Sequence, residues 1–138
     1  EYLDEEYPKP PLMPVDSFER AQVRMIEDFC DLQLYRSVVH CVLKKLRKKE
    51  EPTAEDKKAV VEGLKRIATY LADKEFLVGN FSLADCTFMP VIPSLEAIGY
   101  SDVLESSAAM KAYVDRLKAR PSFKGASLFS IDKTAVPV

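Results

Sequence analysis

Several things are scarce in this sequence, and each shortage removes a class of function. No apolar run approaches the ~20 residues that a helix needs to cross a bilayer, so no membrane span is expected. Neither sign of charge dominates: 20 Lys and Arg stand against 22 Asp and Glu, a net charge of −2, which leaves no electrostatic footprint for nucleic acid. The one basic run, Lys44, Lys45, Arg47, Lys48 and Lys49, is followed at once by Glu50 and Glu51, and no aromatic residues interleave it. It reads as a solvated helix end that suits the negative pole of the helix dipole. There is a single histidine, and His40 and Cys41 are helix neighbours pointing about 100° apart, so they cannot chelate a metal together. No metal is expected. The three cysteines, Cys30, Cys41 and Cys86, all fall in apolar helical patterns and read as reduced core thiols, neither a disulfide framework nor a nucleophile. The first residues are acidic and polar, unlike a secretory signal, so a cytoplasmic location is expected and the sequon Asn80-Phe81-Ser82 reads as a chance match.

What is present is helical. At 138 residues, with 47% hydrophobic and 30% charged residues, the chain suits one domain with a sizeable core. Residues 7–15 hold four prolines and read as a stiff linker. Asp16 is placed to cap a helix, with Glu19 three residues on, and from Ser17 to about Lys48 no Gly or Pro intervenes. Phe18, Met25, Phe29, Leu32, Val39, Leu43 and Leu46 form one apolar stripe along it; Val23, Ile26, Cys30, Leu34, Val38 and Val42 form a second. Two stripes predict a helix that meets its own core and a second surface. Thr53 with Asp56 opens the next helix, whose inner face is Val60, Leu64, Ile67 and Leu71, and the two are expected to pair as a hairpin.

The segment Gly79-Asn80-Phe81-Ser82-Leu83-Ala84-Asp85-Cys86 joins a turn to a helix start. Ser82 is the cap, Asp85 reaches back to the Ser82 backbone N–H, and Phe81 and Cys86 occupy the staple positions. Leu83 to Ile98 is almost wholly apolar and belongs in the core, with a break expected near Met89 because Pro90 and Pro93 remove hydrogen bonds. A later helix, capped by Ser107, presents Met110, Tyr113, Val114 and Leu117 and stops at Arg120-Pro121; a short last helix follows to Ala126. The reading is all-α, a bundle of about five helices. Its domain runs over residues 16–126, after a linker at 1–15 and before an aperiodic tail at 127–138.

The same residues carry a family resemblance. Phe76-Leu77-Val78-Gly79-Asn80-Phe81-Ser82-Leu83-Ala84-Asp85 resembles the "fLvG-x-x-(S/T)-l-A-D" segment of the C-terminal helical domain of glutathione transferases. Residues 1–5, Pro10–Pro14 and Arg20-Ala21 resemble the exit from that family's thioredoxin-like domain. Met110–Tyr113 through Ala119–Phe123 resembles its penultimate helix and Arg-Pro break. The resemblance spans roughly residues 1–126. It implies a thioredoxin-like domain upstream that carries the catalytic residue, so no catalytic residue is expected in this chain. It also implies glutathione as cosubstrate, a small hydrophobic electrophile, and a homodimer. Matched singly, Tyr35 and Arg36 would help hold thiol and glutathione in the cleft, Asp28 would reach the partner subunit's glutathione, and Phe29 and Leu32 would line an apolar pocket. The alternative for this stretch is a salt-bridged polar seam facing solvent. The linker also resembles the stringent starvation protein A branch, which keeps the fold and binds RNA polymerase, although its Pro-His-Pro surface motif reads Pro8-Lys9-Pro10 here.

Overall fold

The computed structural model describes residues 1–125. The expected tail at 127–138 lies outside them, as does Ala126. A short helix α1 (Tyr2–Glu6) leads into the linker, which folds back on it: the Asp4 carboxylate accepts from the Leu12 N–H at 2.6 Å and the Met13 N–H at 3.1 Å. The linker then meets the core, where the Leu12 carbonyl accepts from the Leu83 N–H at 3.0 Å. The proline-rich strip is therefore pinned at Leu12 and Met13, between α1 and the core, by hydrogen bonds that its own non-proline residues supply.

Helix α2 (Ser17–Phe29) starts where expected, with the Asp16 carboxylate accepting from the Phe18 and Glu19 N–H groups at 2.9 Å each. The helix then runs unbroken to Lys48, but it is not α throughout. It passes through a π segment at Cys30–Leu34, continues as α3 (Tyr35–Val42), and ends in a second π segment at Leu43–Lys48. A π turn closes on the fifth residue instead of the fourth, so it takes up an extra residue and rotates the faces that follow. This keeps Ile26, Cys30, Leu34 and Val38 all buried although they are spaced by three successive steps of four. Lys49 stops the helix in a left-handed conformation at φ 58°. Thr53 and Asp56 then form the expected reciprocal cap of α4 (Ala54–Leu71), at 3.2 and 2.7 Å.

The hairpin forms as expected, with close contact between α2–α3 and α4. Gly63 of α4 lies against Leu34, so near that a Cβ there would sit 2.7 Å from a Leu34 methyl. Phe29 meets the Tyr70 ring edge-on at 6.2 Å, and the Arg66 guanidinium covers Phe29 at 4.4 Å.

A turn at Phe76–Asn80, with Gly79 at φ 90°, feeds α5 (Leu83–Phe88). The break at Met89-Pro90 separates α5 from α6 (Val91–Ala97), and Ser94 Oγ donates to the Pro90 carbonyl at 2.7 Å. A one-turn helix α7 (Ser101–Leu104), α8 (Ala108–Ala119, capped by Ser107) and α9 (Pro121–Gly125) complete the described residues. They hold more segments than the five expected, because the proline break divides one helix and the short helices α1 and α7 count separately. No strand occurs among the described residues; only isolated bridges tie Phe76 to Gly79 and Val78 to Asn80.

Candidate functional site

The stretch from Asp28 to Arg36 straddles the first π segment, and this decides where its side chains go. Phe29 is buried under Arg66 against α4. Leu32, one turn later, is 64% exposed. Asp28 and Tyr35 are a heptad apart, a step that an uninterrupted α-helix would bring back to nearly one face; the intervening π turn rotates them apart. Asp28 is exposed, whereas Tyr35 is half-buried against the core cluster. Arg36 is exposed and makes no hydrogen bond or ion pair to any described residue.

Of the five residues, the structure brings Leu32 and Arg36 together. They line a shallow groove of about 670 Å³ along the seam of α3 and α4, with Val39, His40 and Leu43 on one side and Asp56 and Ala59 on the other. Phe29 borders a smaller adjoining groove of about 290 Å³ with Gln33, Gly63 and Arg66. Asp28 and Tyr35 line neither.

The polar floor of the larger groove is Asp56. It receives Lys44 Nζ at 2.6 Å and lies 3.2 Å from His40 Nε2. The Lys44 ammonium and then the Thr53 hydroxyl and N–H hold its carboxyl well below the usual carboxylate range. From sequence Asp56 was legible only as a cap; its second role depends on Lys44, twelve residues away on another helix. No group of three or more His, Cys, Asp or Glu able to hold a metal occurs among the described residues, and none of their helices is long and apolar enough to cross a membrane.

Ser82 and Asp85, read as a structural lock, form one. Asp85 is fully buried and accepts from the Ser82 N–H at 2.9 Å, the Ser82 hydroxyl at 3.2 Å, the Leu77 N–H at 3.1 Å and the Tyr113 hydroxyl at 2.8 Å. The last two partners were not legible locally; they bind the preceding turn and α8 to the start of α5. Burial still pushes the Asp85 carboxyl above its ordinary value, with these four donors opposing it. The cysteines are inert by the same cause: burial pushes Cys30 up to about 12 and raises Cys41 and Cys86.

Comparison with known proteins agrees with the architecture. The glutathione S-transferase C-terminal domain profile matches residues 25–121. A stringent starvation protein A homolog of Haemophilus influenzae is 31% identical over 128 residues, covering 89% of this chain and 57% of that protein. Glutathione S-transferase U25 of Arabidopsis thaliana is 40% identical over 81 residues, 58% of this chain and 35% of that protein. Among solved structures, glutathione S-transferase 1-6 of Anopheles dirus superposes with a TM-score of 0.77 at 22% identity, over 90% of this chain and 59% of the other. A glutathione S-transferase of Methylobacterium radiotolerans, solved with glutathione sulfonate, gives a TM-score of 0.72 at 28% identity over 90% and 61%. The chain belongs to the glutathione S-transferase C-terminal domain family. It spans a little over half the length of the stringent starvation protein A homologs that it matches.

Proposed function

We propose that this chain is the electrophile-binding and dimerisation half of a glutathione transferase that joins glutathione to small hydrophobic electrophiles. The observation that carries the reading is the outer face of the long helix. There Leu32 and Leu43 stay exposed beside Arg36, in a groove whose only carboxylate is already neutralised by Lys44. Apolar wall and unpaired guanidinium suit an apolar electrophile beside an anionic thiolate or carboxylate, since arginine stays charged and offers five donors. The glutathione sulfonate complex of the Methylobacterium relative supports glutathione as the cosubstrate. Thiol activation belongs to residues outside this chain, and Asp28 and Tyr35 belong to the reading as the groups that the family resemblance places nearest the cosubstrate.

A second reading has its own support: stringent starvation protein A homologs align with 89% of this chain, against 58% for the plant transferase. On that reading the protein regulates by binding RNA polymerase. The deciding experiment is made on the protein as expressed from its natural gene. Conjugation of glutathione to a generic aromatic electrophile, with a tenfold loss of kcat/KM in Arg36→Ala, equivalent to ~1.4 kcal/mol, supports the transferase. No glutathione binding, no turnover, and co-purification with RNA polymerase establish the regulator. Turnover unaffected by Arg36→Ala keeps the transferase and removes Arg36 from its site.

A further inference from the structure

A groove of about 900 Å³ opens between the linker, α5 and the α8–α9 junction, and none of residues 17–48 lines it. Its apolar walls are Leu12, Phe81, Met89, Pro90, Pro93 and Phe123, each of them only half-buried. Arg120 and Lys124 stand at its rim, with Glu96, which Lys118 engages. The described chain ends at this same rim, since Lys124 lines the groove and Gly125 is the next residue.

The sequence beyond Gly125 matches the groove in character. Three large apolar residues, Leu128, Phe129 and Ile131, fall within four positions, and Asp132 comes directly after them. They are near enough in the chain, because three to six residues span up to roughly 10–20 Å when extended. Apolar side chains suit the walls, and Asp132 is opposite in sign to Arg120 and Lys124. A tethered segment also meets the groove at an effective concentration on the order of mM, which any free ligand has to outcompete.

We propose that this groove is the docking surface for the chain's own segment Leu128–Asp132, its apolar residues against Phe81, Met89 and Phe123 and its carboxylate toward Arg120 and Lys124. The docking stands apart from the transferase reading, because the groove shares no residue with the Leu32–Arg36 groove.

Cys86 supplies the readout. It lines the groove and is half-buried, whereas Cys30 and Cys41 are 1% and 0% exposed, so alkylation of the folded chain by iodoacetamide reports on Cys86. In the full chain, Phe129→Ser with Ile131→Ser should speed that alkylation about tenfold or more, since the thiol then no longer waits for the segment to lift. Amide shifts between this variant and the wild type should centre on Met89 and Phe123. Equal alkylation rates, or shifts centred elsewhere, would overturn the proposal. Protection of Cys86 that fades on dilution would put a second copy's segment in the groove, and protection lost after refolding from denaturant would put a carried-over small molecule there; either result overturns it. If the double variant does not fold, nuclear Overhauser contacts between the Phe129 ring and the Met89 methyl in the wild type decide, and their absence counts against the docking.

Discussion

Asp85 and Asp56 are both helix-capping carboxylates, yet their surroundings give them opposite pH behaviour. Asp85→Ala would leave the Leu77 and Ser82 N–H groups and the Tyr113 hydroxyl, all buried, without their acceptor. A buried group left unsatisfied costs about 1–3 kcal/mol, so a total loss of at least ~3 kcal/mol is expected by denaturant titration. A loss under ~1 kcal/mol would show that water reaches the site. Tyr113→Phe removes only the donor of a bond to a carboxylate and should cost ~1.5–3 kcal/mol. Because burial raises its pKa, Asp85 holds a proton more readily folded than unfolded, and its contribution to stability falls as pH rises through the folded value. Asp56 is the reverse. Lys44 and Thr53 lower its folded pKa, so its contribution is present above the ordinary value of ~3.9 and is lost as pH falls through the folded one. Asp56→Asn should therefore flatten the dependence of unfolding free energy on pH below about pH 4. An unchanged acid slope would contradict the Lys44–Asp56 pairing.

At the scale of elements, the hairpin of α2–α3 on α4 is closed by a missing side chain. Gly63 sits in mid-helix, where alanine would ordinarily stabilise by ~0.5–1 kcal/mol. Here the added Cβ meets the fully buried Leu34 at 2.7 Å, and overpacking costs ~1–3 kcal/mol. Gly63→Ala should thus destabilise by ~1 kcal/mol in the wild type and stabilise in a Leu34→Val background, which lacks the offending methyl. Equal effects in both backgrounds would mean the two helices move apart freely. The helix starts at Asp16, Thr53 and Ser107 and the break at Met89 could all be read from sequence, since a cap or a proline acts through atoms within four residues. The π segments could not: they are selected by the fit of Ile26, Cys30, Leu34 and Val38 to neighbouring elements, and no local residue type announces them. That is why the residues expected at the site between Asp28 and Arg36 do not converge on one face.

At the scale of the molecule, the outer stripe of the long helix remains uncovered. Phe18, Met25, Leu32, Leu43 and Leu46 are all between 43% and 70% exposed, a row that a lone domain has no reason to keep. The family resemblance implies a homodimer, and we expect two copies to meet along the Phe18–Met25 end of this stripe, leaving the Leu32–Leu43 groove open. Light scattering should show a dimer, and Phe18→Glu with Met25→Glu should yield a monomer of unchanged helix content. A wild-type monomer at every accessible concentration would exclude the pairing.

Sequence by itself determined the all-helical class, the capped starts, the proline break and the family, because these rest on short-range hydrogen bonds and on motifs contiguous in the chain. It marked two apolar stripes on the first long helix and could not say which was inward. Tertiary structure decided that, turning Val23, Ile26, Cys30, Leu34 and Val38 to the core and moving Phe29 under Arg66. It also decided that Asp85 reaches Tyr113, 28 residues on, and that His40, Lys44 and Asp56 share one floor. Contacts of that kind join helices whose separation in sequence carries no period, so only the packed chain can show them.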